Sequence, residues 1–146
     1  MKPDIQSDNN PHNHAVIYCR SASANQLRDD DCINAQEKRC REFAKQKNYD
    51  IVKIIHEKGF SGDLVDRQGV TELLSFLKTH KNHSPHIVII DDISRLARRL
   101  ATHTQLKKAI NDAGGILESP SFTFSDDPDS RFMENMLAIM HQHQDE

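Results

Sequence analysis

Two rhythms of apolar and polar positions alternate along this chain. Residues 15–20, Ala-Val-Ile-Tyr-Cys-Arg, are apolar almost throughout, which predicts a buried strand that ends on an arginine. Residues 32–47 change to helical spacing, with Ile33, Cys40, Phe43 and Ala44 on one side. Residues 51–56 predict a second strand, and 57–68 a loop with Gly59, Ser61, Gly62 and Asp66. Val70, Leu73, Leu74 and Leu77 then fall at the i, i+3, i+4, i+7 spacing of an amphipathic helix. Residues 86–90 are continuous in Ile and Val, as in a strand buried on both faces. Ile93, Leu96, Ala97 and Leu100, continued by Leu106, Ala109 and Ile110, restore the helical rhythm until Gly114-Gly115 stops it. Residues 115–119 predict a fourth strand. Asp127 and Pro128 suit the N-cap and first turn of a last helix.

Strand and helix alternate from end to end. The expected fold is therefore α/β, with a mostly parallel central sheet flanked by helices. Residues 1–14 are polar and are expected to form a disordered tail, leaving 15–146 as one domain. Sheets of this kind bind ligands beyond the carboxyl ends of their strands. Arg20 ends the first strand and is followed by Ser21, Ala22, Ser23 and Gln26. The loop after the second strand carries Ser61 and Arg67. The third ends at Asp91-Asp92, and the next helix opens with Arg95 and Arg98, which are i, i+3 and share a face away from Ile93, Leu96 and Leu100. Arg20, Arg67, Arg95 and Arg98 are thus expected to converge on one rim. A guanidinium offers a fixed fork of donors to phosphate oxygens and keeps its charge. Several around one point suit an anion whose charge grows in a transition state. Taken singly, Asp91-Asp92 beside Arg95 also reads as a plain ion pair, and Ser61-Gly62 as a turn.

Composition narrows the partners. The chain has 146 residues, a net charge of −3 and a pI near 6.3, which argues against a surface basic all over but leaves room for a local basic pocket. It has no Trp, so base-stacking platforms are not expected. Three cysteines with no CxxC pair fit a reducing cytoplasm and no disulfide framework. No apolar run approaches the ~20 residues of a membrane span, and the N-terminus has no signal core. Neither GxGxxG nor GxxxxGK[ST] occurs, and no cofactor is expected. His80, His83 and His86 have ligand-like spacing, but no Cys or carboxylate completes a set; a solvated loop and no metal are expected.

The ordered motifs resemble the catalytic domain of the serine recombinases, the resolvase/invertase family, in its large-recombinase form. "IYCRSASANQ" is similar to that family's Tyr-x-Arg-Val-Ser-Thr-x-x-Gln. "CINAQEKRCREFA" resembles its first-helix segment, and "EKGFSGDLVDRQGVTELL" its Asp-x-Gly-x-Ser-Gly…Arg-Pro-Gly-Leu segment. "IVIIDDISRLARR" resembles the strand and Asp/Ser-Arg-Leu-x-Arg signature, and "DPDSRFMENMLAIM" the start of its long last helix. The resemblance implies that Arg20, Arg67, Arg95 and Arg98 surround a scissile DNA phosphate, with Gln26, Gln36 and Ser61 completing the pocket. Glu57 stands where the family usually has Asp. It further implies attack by a serine hydroxyl, a 5′-phosphoserine link and strand exchange, with neither metal nor nucleotide cofactor. The last helix, 129–143, with Phe132, Met133, Met136, Ile139 and Met140, is expected to self-associate; core packing is the alternative.

The chain departs from the pattern at the nucleophile. In the register set by Tyr18, Arg20 and Gln26, the family serine falls on Ala22. A methyl group cannot attack phosphorus. Ser23 is the first substitute candidate and Ser21 the weaker one. In an extended segment both face away from the Ala22 direction, each offset by ~3.3 Å. The competing expectation is a catalytically dead dimerisation or regulatory module on the same fold. The family's basic DNA-binding region is missing from these residues, so weak DNA affinity is expected of them alone.

Overall fold

The computed structural model describes residues 14–21, 26–58, 68–80, 85–92, 95, 100–124 and 128–144. Strands are β1 (His14–Ser21), β2 (Asp50–Lys58), β3 (His86–Ile89) and β4 (Gly115–Glu118). Helices are α1 (Gln26–Lys47), α2 (Gln68–Thr79), α3 (Leu100–Asp112) and α4 (Pro128–Gln144). The strands form one sheet in the order β2-β1-β3-β4, parallel at every pairing. The α/β reading from the sequence holds.

Side-chain alternation divides the core in two. Ala15, Ile17 and Cys19 of β1 point to the α1 face, where Ile33, Cys40 and Ala44 meet them with Ile87 and Ile89 of β3. Val16 and Tyr18 point the other way, into Val70, Leu73 and Leu77 of α2 and Leu106 and Ile110 of α3. β1 lies between β2 and β3 and is buried from Ala15 to Ser21, which is why it reads as an unbroken apolar run. At the end of α3, Gly114 takes φ 95°, a conformation a side chain would oppose.

The strand order reverses between β1 and β3. The chain leaves β1 toward β2 on one side and returns across it to β3 on the other. At such a switch point the connections diverge and open a crevice beyond the carboxyl ends of the two strands. In this chain those ends are Arg20-Ser21 and Ile90-Asp91.

The histidines differ from expectation. His86 opens β3 and is 7% exposed. Its ring stacks on His14 at 5.7 Å and lies 5.5 Å from His80 and 5.4 Å from Phe76. His80 and His86 therefore belong to a ring cluster at the amino edge of the sheet, opposite the crevice, and not to a solvated loop; His83 lies outside the described residues. The apolar run of β3 draws His86 in, where neighbouring rings cover it. No described helix is long and apolar enough to cross a membrane.

Candidate active site

Arg20 is fully buried at the carboxyl end of β1. Burial of a guanidinium requires partners. Its Nε donates to the carbonyl of Arg95, 3.0 Å away and 75 residues later in sequence. Its backbone is held by Gln36 of α1: Arg20 N–H donates to Gln36 Oε1 at 3.0 Å, and Gln36 Nε2 donates to Arg20 O at 2.9 Å. One primary amide thus continues the hydrogen bonding of β1 and fixes the strand end. Gln36 is itself fully buried. The resemblance counts Gln36 among the pocket residues; in the structure it grips the backbone of Arg20.

Glu57, read from sequence as the start of a loop, is the penultimate residue of β2 and is 3% exposed. Tyr18 Oη donates to its Oε1 in a very short hydrogen bond, and Gly69 N–H donates to Oε2 at 2.5 Å. The second bond places a carboxylate on the first turn of α2, where free N–H groups and the helix dipole favour negative charge. A Cβ on Gly69 would lie 2.8 Å from that carboxylate, so any larger residue must displace it. Glu57 and Gly69 flank the segment with Ser61 and Arg67, and this contact ties its two ends together.

At the end of β3, Asp91 is buried and Arg39 of α1 binds it through both carboxylate oxygens, Nε to Oδ1 at 2.5 Å and Nη2 to Oδ2 at 2.6 Å. The Asp91 carbonyl accepts from Ser119 Oγ at 2.9 Å and Ser121 Oγ at 2.8 Å. Arg95 Nε lies 3.9 Å from Asp91 Oδ2 and is buried without a hydrogen-bond partner among the described residues. The expected Asp91–Arg95 ion pair is therefore a loose contact, and Arg39, which sequence reasoning passed over, holds the carboxylate.

Arg20, Gln36 and Arg95 come together at the switch point. Ser21 ends β1 at 4% exposure. Gln26 begins α1. Ala22, Ser23, Ser61, Arg67 and Arg98 lie outside the described residues. A cavity of about 120 Å³, lined by Phe43, Lys47, Glu118, Ser119, Phe122, Thr123 and Phe124, contains none of these arginines.

Two cysteines and a tyrosine of this region are poor nucleophiles. Burial pushes the Cys40 thiol up to about 12 and Cys19 further still, with the neighbouring thiol and carboxylates adding to the effect. Neither forms thiolate near neutral pH. Tyr18 is fully buried and its hydroxyl is engaged with Glu57.

A parallel sheet with Arg20 bonded to the Arg95 carbonyl at its switch point defines an α/β domain. Residues 15–146 match the family described as "Resolvase, N terminal domain", and the chain belongs to that family. Similar solved structures are serine recombinase catalytic domains. The N-terminal catalytic domain of TP901-1 integrase is 18% identical, with 90% of this chain and 96% of that one covered and a TM-score of 0.69. A resolvase family site-specific recombinase from Streptococcus pneumoniae is 22% identical, with 90% and 89% covered and a TM-score of 0.67. The C-terminal catalytic domain of ISC1926 TnpA, an IS607-like serine recombinase, is 24% identical, with 73% and 69% covered and a TM-score of 0.60. No curated protein sequence matches.

Proposed function

We propose that this chain is the catalytic domain of a site-specific DNA recombinase whose crevice holds a backbone phosphate, and that Ala22 leaves it without the attacking hydroxyl. Arg20 carries the reading: a fully buried arginine, gripped by Gln36 and bonded to Arg95, at the switch point of the sheet. The family resemblance assigns Arg67, Arg98, Gln26 and Ser61 to the same phosphate site. Such donors, fixed before the reaction, stabilise charge on a phosphoryl group.

With a serine at position 22, its Oγ attacks phosphorus, the bond from phosphorus to O3′ breaks, and O3′ leaves with a proton. The strand is then held as a 5′-phosphoserine ester, and the reverse reaction reseals it after exchange. With Ala22 no atom makes the first bond. Ser23 and, less favoured, Ser21 are the remaining local hydroxyls. A misplacement of about 1 Å costs ~100-fold in rate, which disfavours a neighbour acting for residue 22.

Phe132, Met133, Met136 and Met140 form an exposed apolar stripe along α4. This supports self-association through α4, since such a stripe is larger than the scattered apolar residues of a monomer surface. Methionine suits an interface that repacks. The dead dimerisation or regulatory module remains the second reading, and Ala22 favours it. Sedimentation of the wild type against Met136→Glu tests the interface: the wild type self-associates and the variant is a monomer.

The decisive assay exposes the chain to duplexes of randomised sequence labelled at their 3′ ends and looks for an adduct that survives detergent. We expect none from the wild type and a labelled adduct from Ala22→Ser. A wild-type adduct abolished by Ser23→Ala would transfer the chemistry to Ser23. No adduct from Ala22→Ser would favour the non-catalytic module.

A further inference from the structure

Asp91 precedes Arg95 by four residues, and the two side chains are near enough for a carboxylate and a guanidinium to pair. They stay 3.9 Å apart, and the Arg95 Nε–H is buried with no acceptor among the described residues. A buried donor in that state is costly and rare. The cause stands on the far side of Asp91, where Arg39 takes both oxygens at 2.5 and 2.6 Å in the fork geometry that guanidinium and carboxylate share. Ser119 and Ser121 fix the Asp91 carbonyl, and Arg20 fixes the carbonyl of Arg95. The two main chains are held in place while one carboxylate lies between two arginines.

We propose that Arg39 is a positioning residue for Arg95: by occupying Asp91 it prevents that carboxylate from capturing the Arg95 guanidinium, which stays available to an anion in the crevice. This rests on the reading of Arg95 as a phosphate ligand. Arg39 lies on α1, remote in sequence from both partners, and its side chain is 51% exposed. Its removal opens no cavity in the core. An ion pair with a purely structural role predicts that loss of either partner is harmful. A competition predicts that loss of Asp91 repairs the loss of Arg39.

The test follows the Arg95 Nε–H resonance in the ¹⁵N-labelled full chain. In Arg39→Ala, Asp91 turns to Arg95; the resonance moves downfield and exchanges with water about tenfold more slowly, as a charge-assisted hydrogen bond implies. In Arg39→Ala/Asp91→Asn it returns to its wild-type position. Arg39→Lys, a point charge that cannot span both oxygens, gives a smaller shift in the same direction and serves if the alanine variant does not fold. A resonance unmoved by Arg39→Ala or by Arg39→Lys, or one that Asp91→Asn fails to restore, overturns the proposal. Titration of the wild type with a short duplex at low salt separates the two claims. If Arg95 responds to the Arg39 change but not to DNA, the competition stands and the phosphate reading falls.

Discussion

Two buried carboxylates each face two nitrogen partners, with opposite outcomes. Glu134 of α4 meets His103 Nε2 at 2.5 Å and Lys107 Nζ at 2.7 Å, both from α3. Asp91 bonds Arg39 through both oxygens and leaves Arg95 at 3.9 Å. The first carboxylate is closed, each oxygen on its own partner, although His103 Nδ1 is buried with no hydrogen-bond partner among the described residues. Phe124 stacks on His103 at 6.5 Å and receives Lys107 over its ring at 5.0 Å, so the cluster is walled as well as paired. The second is lopsided, both oxygens on one guanidinium, and leaves the Arg95 Nε–H with no acceptor among the described residues. The shared carboxylate joins α4 to α3; the one-sided carboxylate leaves Arg95 beside it. Burial and charge alone do not separate the two arrangements, but the division of the carboxylate oxygens does.

The largest expected effect breaks the closed set. Glu134→Ala leaves His103 and Lys107 facing a void, and urea unfolding should show a loss of about 3 kcal/mol. Gly69→Ala drives a methyl into the Glu57 carboxylate and should cost about 2 kcal/mol by the same measurement. Asp91→Asn removes one charge of a pair whose other member is half in solvent, so about 1 kcal/mol is expected. If Asp91→Asn costs more than Glu134→Ala, the comparison is wrong.

Acid sharpens it. Burial by itself raises the Glu134 carboxyl, but the hydrogen bonds and charges of His103 and Lys107 outweigh that and hold it below the usual carboxylate range. Its folded pKa lies below its unfolded value of 4.5, so its stabilisation is complete above pH 4.5 and fades as pH falls through the folded value. The stability gap between wild type and Glu134→Gln should therefore narrow below pH 4.5. The smallest effect belongs to Lys108–Asp112, exposed at 76% and 66%; Lys108→Ala should change stability by less than about 0.5 kcal/mol.

The strands and the switch point were legible because their cause is local: apolar runs ending in arginine and aspartate. The start of α1 was not. Residues 26–31, Gln-Leu-Arg-Asp-Asp-Asp, carry a single apolar side chain, so no periodicity marks them as helical. β2 was cut short because Glu57 and Lys58 look like loop residues; Tyr18 and the first turn of α2 allow Glu57 to stay inside. Arg39 was invisible for a different reason. In sequence it is one more cation on a polar helix, and only the seating of α1 over the end of β3 gives it Asp91. Its place three residues after Gln36 was the available clue. Glu134 was masked by the methionines around it, whose exposure shows that the apolar side of α4 faces outward and the charged residue inward.

The central claim is that the crevice between β1 and β3 binds a DNA phosphate through Arg20 and Arg95. The most direct measurement titrates a short duplex at low salt into the ¹⁵N-labelled chain and follows the Nε–H resonances of both arginines. The account predicts that the two move together and saturate at the same DNA concentration, and that Arg95→Ala abolishes the Arg20 response. Shifts confined to other residues, or none at all, would contradict it.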